Sequence, residues 1–392
     1  MIRTMKKTLI MSSSFPPSVS GTATVLRNLF YHFPKDSYFV MRRSEEPVEI
    51  DSDLDYNGWT LDLRNLTRSR FIARSIEYLQ IPLLIIQGLR FMSKYKIDNI
   101  FANFPGPGFC ITAFILHKLT GKPLFIYMHD TWEEAKVNPV AVMVAKFFEK
   151  RIFDSCSRIF VISEALYKLY RCKYEYRRNN IILLPHSINI DKWRRIQKNI
   201  EVKPKDSQCI KIVFTGAIYA MNLDAMQNLI KAVNLISEKD VRVTICTSIN
   251  PEWLKAKGIC GPKVDTFFAE TRQDLYSIQR QADILFLPMG FNTPFPEESK
   301  TAFPTKIFDY MLANRPILVH APPDSFLAKK AREEGFGLVI DALDPVRLKE
   351  GILELYYNKG LADQLCERAQ TIVQRHDSFK ISKLLQRELW TA

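Results

Sequence analysis

Thr305, Lys306 and Asp309 stand close together in KTAFPTKIFDYMLANRPIL, residues 300–318. A hydroxyl, an ammonium and, three residues on, a carboxylate are the groups that would hold a phosphate and the sugar attached to it. The pattern predicts a helix over TAFPTKIFDYMLAN, 301–314, entered at Pro304, whose missing N–H costs nothing in a first turn. The unbonded amides of such a turn form an anion site, and phosphate is its commonest occupant. Asp309, about one turn further in, is placed to accept from sugar hydroxyls, ribose first. A helix cap with a solvated lysine accounts for the same spacing equally well.

The elements around this stretch are buried strands. DILFLPM (283–289) precedes it and PILVHA (316–321) follows. Similar β-branched runs recur at 8–13, 38–42, 99–104, 124–130, 159–164 and 181–187, then at 210–216, 241–247, 264–270 and 337–342. Most are continuous rather than alternating, as strands covered on both faces are. Helical patterns fall between them. One runs from Asn222 as cap, and another from Asp344 with Pro345 at the first helical position. Strand and helix alternate twice over, which predicts two doubly wound, Rossmann-like α/β domains. The polar, aperiodic stretch 192–209 is the seam. The expected domains are 1–195 and 205–378, with a last helix at about 379–392 packing back on the first. Ligands of such sheets bind beyond the carboxyl ends of the strands, so a cleft between facing domains is the expected site.

The bulk figures limit the function. The 392 residues are 47% hydrophobic and 25% charged, a soluble globular balance. Seven scattered cysteines without a CxxC pair fit reduced thiols in a cytoplasm, and six histidines without HExxH or a His-Cys cluster argue against a metal. The start reads as a first strand rather than a secretory leader, and the apolar run IPLLIIQGL (81–89) is too short to span a bilayer. No GxGxxG follows the first strand, which argues against a dinucleotide dehydrogenase. No RNP-like aromatic pattern or zinc-finger spacing points to nucleic acid.

Of the formal net charge of +13, the first 200 residues carry +12. Arg68, Arg70, Arg74, Arg90, Lys94 and Lys96 flank apolar clusters over 64–96, and YKLYRCKYEYRR (167–178) adds a second basic cluster. An anionic membrane surface is a candidate partner for this half. Ordinary core helices with snorkelling cations are the plainer alternative.

Taken together, six segments resemble the retaining glycosyltransferases of the GT-B fold, most closely the "group 1" family, glycosyltransferase family four. They are FPPSVSGTATVLRNL (15–29), IYMHDTW (126–132), RIFVISEALYKLY (158–170), ILLPHSINIDKW (182–193), IVFTGAIYAMN (212–222) and the 303–318 segment. They stand in the family's order and span essentially the whole chain.

The resemblance implies a metal-independent transfer of a sugar from a nucleotide-diphosphate sugar to a hydroxyl of a glycan or lipid-linked acceptor. It implies no cofactor beyond that donor. The implied setting is bacterial surface polysaccharide synthesis, in the cytoplasm or at the inner face of the plasma membrane. Gly21 and Thr22 in the first loop and Gly216 in the second domain are the implied phosphate-facing backbone, with Asn222 at the end of that second loop. His129 is the implied active-site histidine. Thr305 and Lys306 fall over the diphosphate, Lys306 with a catalytic share in stabilising the leaving group. Asp309 falls where the family has a ribose-binding Glu. The family's first motif Glu falls at Thr301, with Glu298 a nearby substitute, and the usual Arg and Lys after the second-domain Gly are missing from GAIYAMN. A nucleotide-sugar 2-epimerase on the same fold and a non-enzymatic basic binding protein are the alternatives.

Overall fold

In the computed structural model, the described residues are all but 1–4, 19, 44–53, 55, 62–77, 133–138, 201–207, 270 and 392. The chain forms two compact units, Met1–Ser187 with Ser378–Ala392, and Ile188–Asp377. Both are doubly wound parallel sheets, the Rossmann-like architecture expected.

In the first unit the strands are β1 (Thr8–Ser12), β2 (Tyr38–Arg43), β3 (Asn57–Leu61), β4 (Asn99–Phe104), β5 (Leu124–Met128), β6 (Arg158–Val161) and β7 (Ile181–Leu183). Their order in the sheet is β3-β2-β1-β4-β5-β6-β7, all parallel. β1, β4 and β5 are buried along their whole length. Successive side chains enter two cores on opposite faces: Leu9, Met11, Ile100 and Ala102 pack on one, Ile10, Phe101, Phe125 and Tyr127 on the other. The helices Ile81–Tyr95, Pro107–Thr120 and Pro139–Ser155 supply side chains to the first core, and Gly21–Phe30 to the second. The C-terminal helix Ser378–Thr391 also lies on this second face. It buries Leu385 and Leu389, and Asn99 Nδ2 donates to Leu389 O at 2.7 Å.

The second unit holds β8 (Cys209–Thr215), β9 (Asp240–Cys246), β10 (Val264–Phe267), β11 (Ile284–Pro288), β12 (Ile317–His320) and β13 (Leu338–Ile340), ordered β10-β9-β8-β11-β12-β13 and all parallel. The strand order reverses between β8 and β11, as it does between β1 and β4 in the first unit. Loops part at these points and leave room for a ligand beyond the strand ends.

Three expectations are corrected. The first unit ends at Ser187, not 195, because the helix Ile190–Lys198 packs Trp193 into the second unit's core against Tyr276, ring centroids 5.1 Å apart. A strand forms at 57–61 where no apolar run predicts one; it begins with Asn-Gly and pairs on one side only, with β2. The helix read over 301–314 forms only at Ile307–Ala313. Pro304 opens a turn instead, its carbonyl accepting from Ile307 N at 3.2 Å, and Lys306 is the residue before the helix. Arg68, Arg70 and Arg74 lie outside the described residues.

Candidate functional site

The second unit's site grows from β8. Thr215 ends the strand with its N–H and hydroxyl both donating to the Tyr310 hydroxyl, at 2.9 and 3.3 Å. Gly216 follows with φ +117, a left-handed backbone in which a side chain is strained. A Cβ there would also lie 2.9 Å from Lys306 Nζ. The glycine therefore makes two things possible, the sharp exit from β8 and the close approach of Lys306.

Lys306 lays its ammonium 4.0 Å from the centre of the Phe214 ring. No acid or hydrogen-bond acceptor pairs with it among the described residues. Burial lowers its pKa to about 7. A half-charged lysine with no counter-ion among the described residues therefore stands at the strand-order reversal. Thr305 beside it is half-buried, and its hydroxyl has no partner among the described residues.

Asp309 lies in the first turn of the helix Ile307–Ala313. Burial raises its pKa to about 6, against the opposing pull of Arg272 and a hydrogen bond from Tyr276. Its carboxylate is thus tied to the helix Arg272–Gln281 through Tyr276 and Arg272.

Asn222 does a different job from the one its type suggested. It makes no side-chain cap bond. Its Oδ1 accepts from Tyr219 N at 2.9 Å and its Nδ2 donates to Ala217 O at 3.1 Å, so the amide is used in closing the 217–222 loop. Glu298 is half-buried on the short helix Pro296–Ser299. Thr301 turns its hydroxyl back to the carbonyls of Glu297 and Glu298, at 3.4 and 3.3 Å.

Two residues not singled out in the sequence frame this edge. Asp224, in the first turn of the helix Leu223–Asn234, accepts from Asn292 N at 2.7 Å, from Phe291 N at 3.1 Å and from Asn292 Nδ2 at 3.2 Å, clamping the loop after β11 to that helix start. Gly290 permits the clamp, since a Cβ there would sit 3.0 Å from Asp224 Oδ1 and 3.1 Å from Met221 O. His320, at the end of β12, meets Asn228 Nδ2 at 3.0 Å and Ile340 O at 2.9 Å, and Phe291 packs on its ring at 4.8 Å. The carbonyl takes the Nδ1 proton, which leaves Nε2 to accept from Asn228 in a neutral ring, and burial lowers its pKa accordingly.

In the first unit, His129 is the residue after β5. Its N–H donates to Phe104 O at 3.0 Å, and its ring stands edge-on to Tyr127 at 4.3 Å. Burial lowers its pKa to about 3, so the ring is neutral. Its Nε2 is buried with no partner in the described residues, and so is the side-chain amide of Asn103 on the neighbouring strand β4. Asn103 was legible only as a polar residue inside the apolar run NIFANF. Gly21 is the first residue of its helix. It does not adopt a left-handed backbone; what it supplies is an exposed turn without a side chain. Ser20 caps that helix, accepting from Ala23 N at 3.0 Å, with Thr22 half-buried behind it. No group of His, Cys, Asp and Glu with metal-binding geometry occurs among the described residues.

Comparison with known proteins identifies both units. Residues 19–192 match the family model described as Glycosyltransferase Family 4, and residues 209–358 match Glycosyl transferases group 1. No curated protein matches the chain by sequence. Among solved structures, the chain resembles HepE from Anabaena in complex with UDP-glucose, with TM-score 0.69, 14% identity, and 98% of this chain and 100% of that one covered. It resembles sucrose-phosphate synthase from Thermosynechococcus elongatus equally, with TM-score 0.69, 14% identity and 98% of each chain. A putative UDP-N-acetylglucosamine 2-epimerase from Listeria monocytogenes follows at TM-score 0.63 and 13% identity, covering 97% of this chain and 95% of that one. At these identities the structural likeness speaks to the fold alone.

Proposed function

The chain belongs to the group 1 glycosyltransferases, and from that premise we propose that it moves a sugar, with retention of configuration, from a nucleotide-diphosphate sugar to a hydroxyl of a glycan or lipid-linked acceptor. The observation that carries this reading is Lys306, a cation with no counter-ion among the described residues, at the reversal between β8 and β11. The donor's diphosphate takes that place, within reach of the Thr305 hydroxyl and the backbone made open by Gly216. As the bond to the sugar breaks, negative charge grows on the leaving diphosphate, and Lys306 stabilises it more than it stabilised the ground state. Asp309 keeps acceptor capacity for the ribose hydroxyls. Uridine is the base favoured, since HepE is recorded with UDP-glucose.

His129 is the acceptor-side residue of the reading. A neutral imidazole with an unengaged Nε2 suits contact with an uncharged sugar hydroxyl. Assembly of a bacterial surface polysaccharide is the setting we favour.

A hydrolysis screen of UDP-, GDP- and ADP-sugars tests the donor. Release of sugar from one nucleotide class is expected, and no turnover or binding of any of them rejects the reading. For Asp309, replacement by Ala should weaken a ribonucleotide more than its 2′,3′-dideoxy analogue. Equal losses would make the residue part of the Tyr276 contact only.

A further inference from the structure

The helices over one face of the first unit's sheet carry an outer surface unlike that of a solvated layer. The helix Ile81–Tyr95 buries Leu84, Gly88 and Met92. Its opposite stripe, where charged residues normally sit, is apolar instead: Leu83, Ile86 and Leu89 are exposed there, and Leu79 just before them is 76% exposed. The stripe then turns basic at Arg90 and Lys94. On the same face the helix Pro139–Ser155 exposes Met143 and Phe147, at 65% and 50%, with the Arg151 guanidinium 3.5 Å over the Phe147 ring.

Next to that helix stands exposed Tyr176, whose hydroxyl donates to Asp154 at 2.6 Å. On the segment that carries Tyr176 is an open depression of about 440 Å³, lined by Tyr167, Lys168, Arg171, Cys172, Glu175 and Arg178. Arg171 is held in place by Tyr167, donating to its hydroxyl at 2.8 Å. None of the three cations is ion-paired among the described residues, and Glu175 is the one acid in the lining.

We propose that this helical face docks the protein on an anionic phospholipid bilayer, with the Leu79–Leu89 stripe entering the interface and the Lys168, Arg171 and Arg178 depression holding a phosphate headgroup. Charge complementarity selects the partner. The surface offers aliphatic side chains and unpaired cations together, and an acidic bilayer offers acyl chains and phosphates together. A nucleic acid would use the cations and leave the leucines in water. The depression is open rather than enclosed, which suits a headgroup presented by a surface better than a small metabolite. No described helix is long and apolar enough to cross a membrane, so the contact is interfacial. The inference is independent of which sugar is transferred.

Vesicle flotation with the full chain tests it. Binding is expected to vesicles of phosphatidylcholine mixed with phosphatidylglycerol and not to phosphatidylcholine alone, and salt should release it as screening shortens. Replacing Lys168, Arg171 and Arg178 by Gln should lower partitioning at least about tenfold, since each cation near the surface contributes about 1 kcal/mol. Leu83→Ser with Ile86→Ser should weaken binding as well and leave the remainder fully salt-released. Lys168→Gln alone, at an exposed position, gives a partial loss without risk to the fold. Wild-type protein that ignores anionic vesicles at low salt overturns the proposal, as does a triple variant that binds like wild type. Inorganic pyrophosphate bound at these residues without vesicle binding would make the depression a soluble-anion site and overturn it too.

Discussion

The carboxyl edges of the two sheets follow one plan and are finished differently. In the second unit the polar groups are mostly engaged: Asp224 clamps the loop after β11 to a helix start, Asn222 closes its own loop, and His320 is bonded at both ring nitrogens. Among the described residues the groups left over include a charged one, the Lys306 ammonium, next to the Thr305 hydroxyl. In the first unit the groups left over at the sheet edge among the described residues include two neutral ones, His129 Nε2 and the Asn103 amide. A buried polar group left unsatisfied costs about 1–3 kcal/mol. Such groups persist where something else satisfies them, and the kind of group tells what that is. A fixed frame around one cation suits an anion of defined geometry. Neutral groups on a strand end suit an uncharged, hydroxyl-bearing ligand. On this difference the proposed function places the diphosphate at the second unit and the acceptor at the first.

Mutating the exceptional groups puts this contrast at risk most directly. Lys306→Ala is expected to weaken nucleotide-diphosphate binding by on the order of 1–3 kcal/mol, the scale of a charge-assisted hydrogen bond. It should leave the melting temperature unchanged or raised, because it removes a cation that has no counter-ion among the described residues. Calorimetry with UDP and GDP, with a thermal melt alongside, reads both. Unchanged affinity, or a strongly destabilised fold, would place Lys306 among the structural residues.

Asp224→Ala should behave in the opposite way. It removes the acceptor of four donors, the N–H groups of Ala225, Phe291 and Asn292 and the Asn292 amide, and should lower stability by about 2 kcal/mol in a denaturant titration, within the range for hydrogen bonds to charged groups. A variant of wild-type stability would remove the clamp from the account. His129→Ala should leave melting and nucleotide affinity near wild type and reduce transfer at least about tenfold, roughly 1.4 kcal/mol of barrier. Unfolding on substitution would mean that the ring is core, and full activity would empty the first unit's edge of its assigned role.

Much of this architecture was legible in the residues because a strand covered on both faces is apolar throughout. β4, β5, β8 and β11 have no other way to be read. β3 escaped because an edge strand beginning Asn-Gly has neither the continuous run nor clean alternation. Local chemistry was readable and its use was not. Asn222 is a residue that bonds nearby backbone, and it does, to Tyr219 and Ala217 rather than to the helix it precedes. Pro304 promised a helix start and formed the turn before one. The Asp224–Gly290 fit joins loops 66 positions apart in sequence, and no local pattern records that contact. The Lys306–Gly216 approach is of the same kind, so the lysine was readable as an anion ligand while its burial was not.

That burial supplies the smallest effect and the sharpest sign. With a pKa of about 7 in the free protein, Lys306 is protonated below that pH and neutral above it. A bound diphosphate favours the charged form, so affinity should be constant on the acid side and fall as pH rises through 7. The loss is about threefold over the one pH step centred on the pKa. A nucleotide-diphosphate sugar is the ligand to use, because its phosphodiesters do not titrate in this range as the terminal phosphate of UDP does. Stability moves the other way. The unfolded lysine holds its proton up to its ordinary value of 10.5, so between about 7 and there the unfolded chain binds more protons, and this residue makes the fold more stable as pH rises. Lys306→Arg separates the two, since a guanidinium stays charged throughout and should flatten the affinity profile. Affinity that rises with pH in the wild type, or an unchanged slope in Lys306→Arg, would mean that another group sets the titration and that the cation of the second edge is not the one facing the ligand.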